Sequence, residues 1–243
     1  MDLQKIKEEV SKMPLTSRSV MILDVISRIE EGLPLDGFSV EYTLKHNEKM
    51  EGLQSVSTSP LVNTNCEKLS HNLKAICFKC FSIRQLARFK SQDLKLIYNA
   101  LILNYCDLKS EQIPFINASY FRIEAFGDLI TMQQLKNYVK IIKLNKYTHF
   151  AWFTKRYDLM LEYFKQGGKI PNNCNLILSS PLINTPLNSG LVNTIKQYFK
   201  NVKVFTVYDK NHIEKVGYNC LKKCKDCLKC YTSYYNYINE SLK

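Results

Sequence analysis

Glycine and proline are scarce in this chain, eight and seven among 243 residues, and there is a single tryptophan. No Walker loop, G-x-S-x-G elbow or H-E-x-x-H helix is present, which argues against P-loop, hydrolase and zincin chemistry. No run approaches the roughly 18 uninterrupted apolar residues of a membrane helix, so no membrane partner is expected. The opening MDLQKIKEEVSKM carries acids and no apolar stretch. A signal peptide is therefore not expected, and the chain is expected in the cytosol, where thiolate–metal sites persist and structural disulfides are rare. Acids are also in short supply: 22 Asp and Glu face 34 Lys and Arg, a formal charge of +12 with a pI near 9.2. Such a balance attracts polyanions and makes nucleic acid a candidate partner. An AT-rich coding sequence gives the same Lys-, Ile- and Asn-rich composition. The hydrophobic fraction of 45% is enough for an ordinary core.

What the chain does have is grouped cysteine. Seven of its nine cysteines form two sets, Cys66, Cys77 and Cys80, then Cys220, Cys224, Cys227 and Cys230. Thiolates at such spacing hold a metal ion or an iron–sulfur cluster. Two successive C-x-x-C steps at Cys224, Cys227 and Cys230 wrap three sulfurs around one small object, and Cys220 supplies a fourth. Zinc sites usually separate two C-x-x-C pairs by about 12–20 residues. The dense C-terminal set therefore suits a [4Fe-4S] cluster, with Zn2+ as the alternative. Three thiolates at Cys66, Cys77 and Cys80 leave one iron of such a cluster without a protein ligand, open to a substrate or to S-adenosylmethionine. A cysteine from the second set is the other way to complete the first. Cys106 and Cys174 lie in apolar runs and read as buried thiols.

Periodicity sets the scaffold. Leu3, Ile6, Val10 and Met13 recur at helix spacing, Pro14 interrupts, and Thr16 or Ser17 caps a second helix carrying Val20 to Ile29. Residues 1–37 thus read as an N-terminal helical cap. β-like runs follow at 38–44 and 53–57, then a polar loop over 58–65, then helices over 82–90 and 92–106. Strands over 118–125, 148–154, 175–179 and 202–208 alternate with helices over 131–144, 156–165 and 189–199. That alternation predicts an α/β fold with a parallel sheet, a partial or complete β/α barrel over 38–219, with a doubly wound open sheet as alternative. Residues 220–243 read as a Cys-rich extension. In both architectures chemistry collects at the carboxyl ends of the strands. There the sequence offers Glu124, Gly127, Asp128, Lys155, Ser179 and Asp209 as cofactor-binding candidates. Arg122 is a candidate partner for Glu124, and Asp128 alternatively caps the helix after it. Lys155 and Arg156 suit a phosphate or carboxylate. His71 and His212 are weaker ligand candidates, and Tyr231, Tyr234, Tyr235 and Tyr237 stack on bases or cover a cluster.

Several stretches resemble the phage-encoded gene product 88 family, in the family's order over about residues 55–232. Cys77-Phe-Lys-Cys80-Phe81-Ser82 is similar to its C-x-x-C-Tyr-Ala segment. Phe121-Arg122-Ile123-Glu124-Ala125-Phe126-Gly127-Asp128-Leu129 resembles its R-x-x-x-x-G-D-F strand, and Phe150-Ala151-Trp152-Phe153-Thr154-Lys155 its Tyr-Thr-Lys strand. Cys224-Lys-Asp-Cys227-Leu-Lys-Cys230-Tyr231 resembles its terminal C-x-D-C-x-x-C-Trp. The resemblance implies a barrel like that of radical-S-adenosylmethionine enzymes, carrying iron–sulfur clusters, in the host cytosol. The chain departs from the usual radical-enzyme pattern, C-x3-C-x2-C with an aromatic before the last cysteine. Its first gap is ten residues, Lys79 precedes Cys80, and Glu124-Ala-Phe-Gly127-Asp128 stands nearest the glycine-rich G-G-E strand. Two functions are expected from these features. One is an enzyme modifying a nucleic acid, nucleotide or peptide. The other is a metal- or cluster-stabilised module binding nucleic acid or a host protein.

Overall fold

The chain opens with two helices, α1 (Leu3–Ser11) and α2 (Ser17–Glu30). Thr16 caps α2 in a reciprocal box with Ser19, satisfying two of the amide groups that a helix start leaves open. Strand β1 (Gln54–Val56) is followed by α3 (Thr64–Ser70), α4 (Phe81–Arg88) and α5 (Lys90–Tyr105). The alternating part contains β2 (Tyr120–Ile123), α6 (Met132–Leu144), β3 (His149–Thr154), α7 (Tyr157–Lys165) and β4 (Cys174–Ser179). It continues with α8 (Ser189–Tyr198), β5 (Val202–Tyr208) and α9 (Lys210–Val216). A short α10 (Cys224–Cys227) and β6 (Tyr237–Ser241) complete it. The computed structural model describes residues 1–220, 222–232 and 234–242.

The six strands form one sheet, every pair parallel, in the order β1-β2-β3-β4-β5-β6. A doubly wound sheet reverses its strand order at a switch point. Sequential order has no such point, so the open doubly wound alternative is set aside. A complete barrel is set aside as well, because among the described residues β1 and β6 each bond to one neighbour. What stands is a partial parallel β/α fold.

Side chains alternate across each strand, and the two faces have different covers. Phe121, Ile123, Phe150, Trp152, Leu176, Leu178, Val202 and Val204 join the main core with residues of α5, α6, α7 and α8. Ile6, Val10, Ile22, Val25 and Ile26 of the N-terminal helices belong to the same core, so that cap is continuous with the domain. The opposite face carries Ala151, Phe153 and Ile177, and its cover is Leu53 and Tyr231. The Cys-rich segment thus lies on the sheet. It also supplies the sixth strand, beyond the boundary expected at residue 219.

The stretch 38–44, expected as a strand, forms the single Thr43–Ser55 bridge among the described residues, and its Val40 amide bonds the Gln112 carbonyl. Side chains take others of its backbone groups: Asn99 binds both the amide and the carbonyl of Glu41, and Lys95 donates to the Tyr42 carbonyl. The loop expected over 58–65 gives way to α3 at Thr64. Asn63 starts that helix, its side-chain oxygen accepting from the Asn65 and Cys66 amides.

Candidate metal centre

The first cysteine group is assembled at the carboxyl ends of β2 and β3. Asn63 couples Cys66 to this place, since its amide nitrogen donates to the Asp128 carbonyl (2.9 Å) while its oxygen holds the Cys66 amide. Cys77 and Cys80 sit on one turn, closed by the Cys80 amide on the Cys77 carbonyl (3.1 Å). That turn is strapped across the end of β4 by the Ala75–Leu182 bridge and by the Ile76 amide on the Pro181 carbonyl. All three thiols are free and partly buried, and none makes a hydrogen bond among the described residues. Burial, with Asp128 and the sister thiols, pushes the Cys66 and Cys77 thiols up, and Lys155 works against it. Burial opposes the Lys155 ammonium, yet Cys77, Asp128, Cys66 and Cys80 hold its pKa above the ordinary lysine value. Three thiols therefore share one cation.

The second group lies over the other face of the sheet. Cys220, Cys224, Cys227 and Cys230 line one pocket with Leu228, Tyr231 and Ile238. Tyr231 packs on Tyr120 of β2 at 5.3 Å between ring centres. Asn175 of β4 donates to the Cys230 carbonyl (3.0 Å). Burial pushes Cys230 up to about 12 and raises Cys220 and Cys224, while Arg122 pulls Cys224 and Cys230 down and Lys49 pulls Cys220 and Cys224 down. Lys49 donates to the Cys220 carbonyl (3.2 Å) and pairs with Glu240. The two groups have separate charged neighbours: Asp128 and Lys155 for one, Arg122, Lys49 and Glu240 for the other.

Among the described residues no three His, Cys, Asp or Glu side chains are arranged to grip a single metal ion. The four C-terminal cysteines line one pocket, and thiolate sulfur is the donor that soft metal ions and iron–sulfur clusters take. Burial raises Cys66, Cys77, Cys220, Cys224 and Cys230, and a metal bound there would displace their protons.

The remaining candidates are largely committed to the protein itself. The Glu124 carboxylate is buried and takes the Thr58 amide (3.1 Å) and hydroxyl (2.9 Å), Gln134 (2.8 Å) and Tyr138 (2.5 Å). Asp128 takes the Thr154 hydroxyl (2.6 Å) and the Leu129 and Lys155 amides (both 2.8 Å). The cap of α6 is Thr131, so Asp128 does not serve that helix. Gly127 is required by close approach: a Cβ there would stand 2.5 Å from the Thr58 carbonyl. Asp209 caps α9 and binds Asn184 and His212, which hold its carboxyl down to about 2. Ser179 is buried at the end of β4, and its carbonyl accepts from Tyr157. Arg156 is forked onto Asp158. Among the described residues Arg122 donates to the Glu124 carbonyl alone, at 3.5 Å, and its guanidinium lies 3.8 Å from the Phe153 ring centre. The expected Arg122–Glu124 carboxylate pair is thus replaced by an Arg122 facing the second cysteine group. His71 is exposed, and Cys106 and Cys174 are buried as expected. Tyr231 is buried, whereas Tyr234, Tyr235 and Tyr237 are exposed.

Sequence reasoning missed Lys49, Glu240 and Lys203, the last a buried lysine of β5 that lies near Cys230 and donates to the Tyr235 carbonyl. Each lies in a different segment, and only the alternation of Lys203 with Val202 and Val204 hinted that it faces away from the helices. Compared with protein-family models, with curated proteins and with solved structures, the chain matches none of them.

Proposed function

We propose that this chain is an iron–sulfur protein. Cys66, Cys77 and Cys80 would hold one [4Fe-4S] cluster, and Cys220, Cys224, Cys227 and Cys230 a second. The observation that carries the reading is the placement of the two sets: Cys220, Cys224, Cys227 and Cys230 line one pocket, while Cys66 is tied through Asn63 to Asp128 and Cys77 and Cys80 share one turn. A cluster of this kind supplies single electrons, and one held by three thiolates leaves an iron open to the amine and carboxylate of S-adenosylmethionine. Around the first set, Lys155 holds positive charge beside the sulfurs, Asn63 ties Cys66 to Asp128, and the Ala75–Leu182 strap places Cys77 and Cys80. Around the second, Tyr231 and Leu228 exclude water, while Arg122 and Lys49 favour the thiolate form. The proposed activity is reductive chemistry of the radical-S-adenosylmethionine type on a nucleic acid, nucleotide or peptide, in the host cytosol. The charge of +12 supports a polyanionic partner.

A second reading has support of its own. Glu124, Asp128 and Asp209, the carboxylates expected to meet the cofactor, are engaged by protein donors. That favours a module whose clusters, or a zinc ion, stabilise a binding surface for nucleic acid or a host protein without S-adenosylmethionine turnover. Reconstituted protein, reduced in the presence of S-adenosylmethionine, separates the two. The enzyme reading expects release of 5′-deoxyadenosine that is lost in Cys77→Ser. Iron-loaded, reduced protein that releases none supports the binding module.

A further inference from the structure

We propose that the segment from Lys68 to Gln92, which carries Cys77 and Cys80, is a binding surface for single-stranded nucleic acid. This names the partner class at the first cysteine group, and it rests on the proposed function only for the chemistry after binding. The segment holds no acid. Its six cations, Lys68, Lys74, Lys79, Arg84, Arg88 and Lys90, are all exposed, and none joins an ion pair among the described residues. The same segment exposes Phe78 (47%), Phe81 (59%) and Phe89 (56%), large rings that a fold ordinarily covers.

Local structure explains the display. Helix α4 buries Ser82 and Leu86, so Phe81, Arg84 and Arg88, at i, i+3 and i+7, line the solvent side. Arg84 and Arg88 stand one turn apart and repel each other unless an anion lies between them. Rings and cations alternate along the chain, as Phe78–Lys79 and Arg88–Phe89–Lys90, which is the alternation of bases and phosphates in an unpaired strand. A helix lying on a membrane separates an apolar face from a charged one, and here the two are interleaved. A duplex hides the base faces that three open rings would stack on, and a run of Asp and Glu has no planar face to offer them.

The test is fluorescence anisotropy on the full chain with labelled single-stranded DNA and RNA of about 15 nucleotides, near the upper site size of one binding module. The same sequence as a duplex and vesicles of phosphatidylserine and phosphatidylcholine serve as competing probes, and iron is measured on the same sample. Single strands are expected to bind best. Arg84→Ala with Arg88→Ala is expected to weaken binding roughly tenfold and to flatten the salt slope by about 1.4, the share of two phosphates. Phe81→Ala with Phe89→Ala is expected to weaken it roughly fivefold or more at an unchanged salt slope. Because these side chains are exposed, circular dichroism and melting should match the parent. Double variants that bind as the parent does would overturn the proposal. So would equal affinity for the duplex, or binding to vesicles alone. Iron-free protein that binds strands through these residues keeps this proposal and sinks the cluster reading. Iron-loaded protein that ignores strands sinks this proposal alone.

Discussion

Glu124 turns just past β2 with φ at +58°, a conformation that costs about 1–2 kcal/mol for a residue with a Cβ. Four donors on its carboxylate hold it there, and Gly127 lets the following turn close on Thr58. Burial lifts its pKa from the ordinary value of 4.5 to about 7. A carboxyl raised in the fold makes its favourable contribution below about 4.5 and loses it as pH rises through 7. The parent should therefore lose roughly 2–3 kcal/mol from this group between pH 5 and 8. Glu124→Gln should remove that slope, read as the parent-minus-variant difference in urea stability across the range. The difference cancels His46, whose pKa is pushed down to about 4 by burial, Arg122 and Lys95 and which acts with the opposite sign. Gly127→Ala forces its Cβ against backbone and should cost about 1–3 kcal/mol in the same measurement; an unchanged midpoint would show that the loop can shift.

At the scale of elements, the cover on the second face of the sheet is the feature most open to test. Tyr231 fills the space over Ala151, Phe153 and Ile177 and touches the cysteine pocket. Tyr231→Ala should cost about 3–5 kcal/mol, as large aromatic truncations in cores do, and should lower metal retention at the C-terminal set while sparing the first. Equal loss from both sets would contradict separate sites. The main helices and five of the six strands were legible in the sequence, because their apolar residues repeat at the spacing of the element they form. Strand β6 was not, since Tyr237–Ser241 is largely polar and owes its form to pairing with β5, a distant segment. Helix α3 escaped for a local reason: its seven residues bury none, and its start depends on one Asn63 side chain. The run at 38–44 misled because its alternation is real but its backbone is claimed by Asn99 and Lys95 rather than by a strand.

At the scale of the molecule, the two edges of the sheet share no strand pairing among the described residues, yet the chain meets across them. Lys49 and Glu51, before β1, pair with Glu240 in β6 and Lys223 beside α10. The C-terminal cysteines therefore lie where beginning and end of the sheet come together. The cysteine grouping was plain in the sequence; the separation of the groups was not, because it depends on which strand ends and which cations each group meets. Cys77→Ser with Cys80→Ser should remove about half of the bound iron, and Cys224→Ser with Cys227→Ser the other half, if each set holds its own cluster. Loss of all iron from either pair would mean one shared site.

Iron and acid-labile sulfide, measured on protein purified without oxygen, bear most directly on whether the two cysteine sets hold clusters. Two [4Fe-4S] clusters predict about eight irons and as many sulfides per chain in a brown protein. Colourless protein with neither iron nor sulfide, or with a single zinc ion, would contradict them.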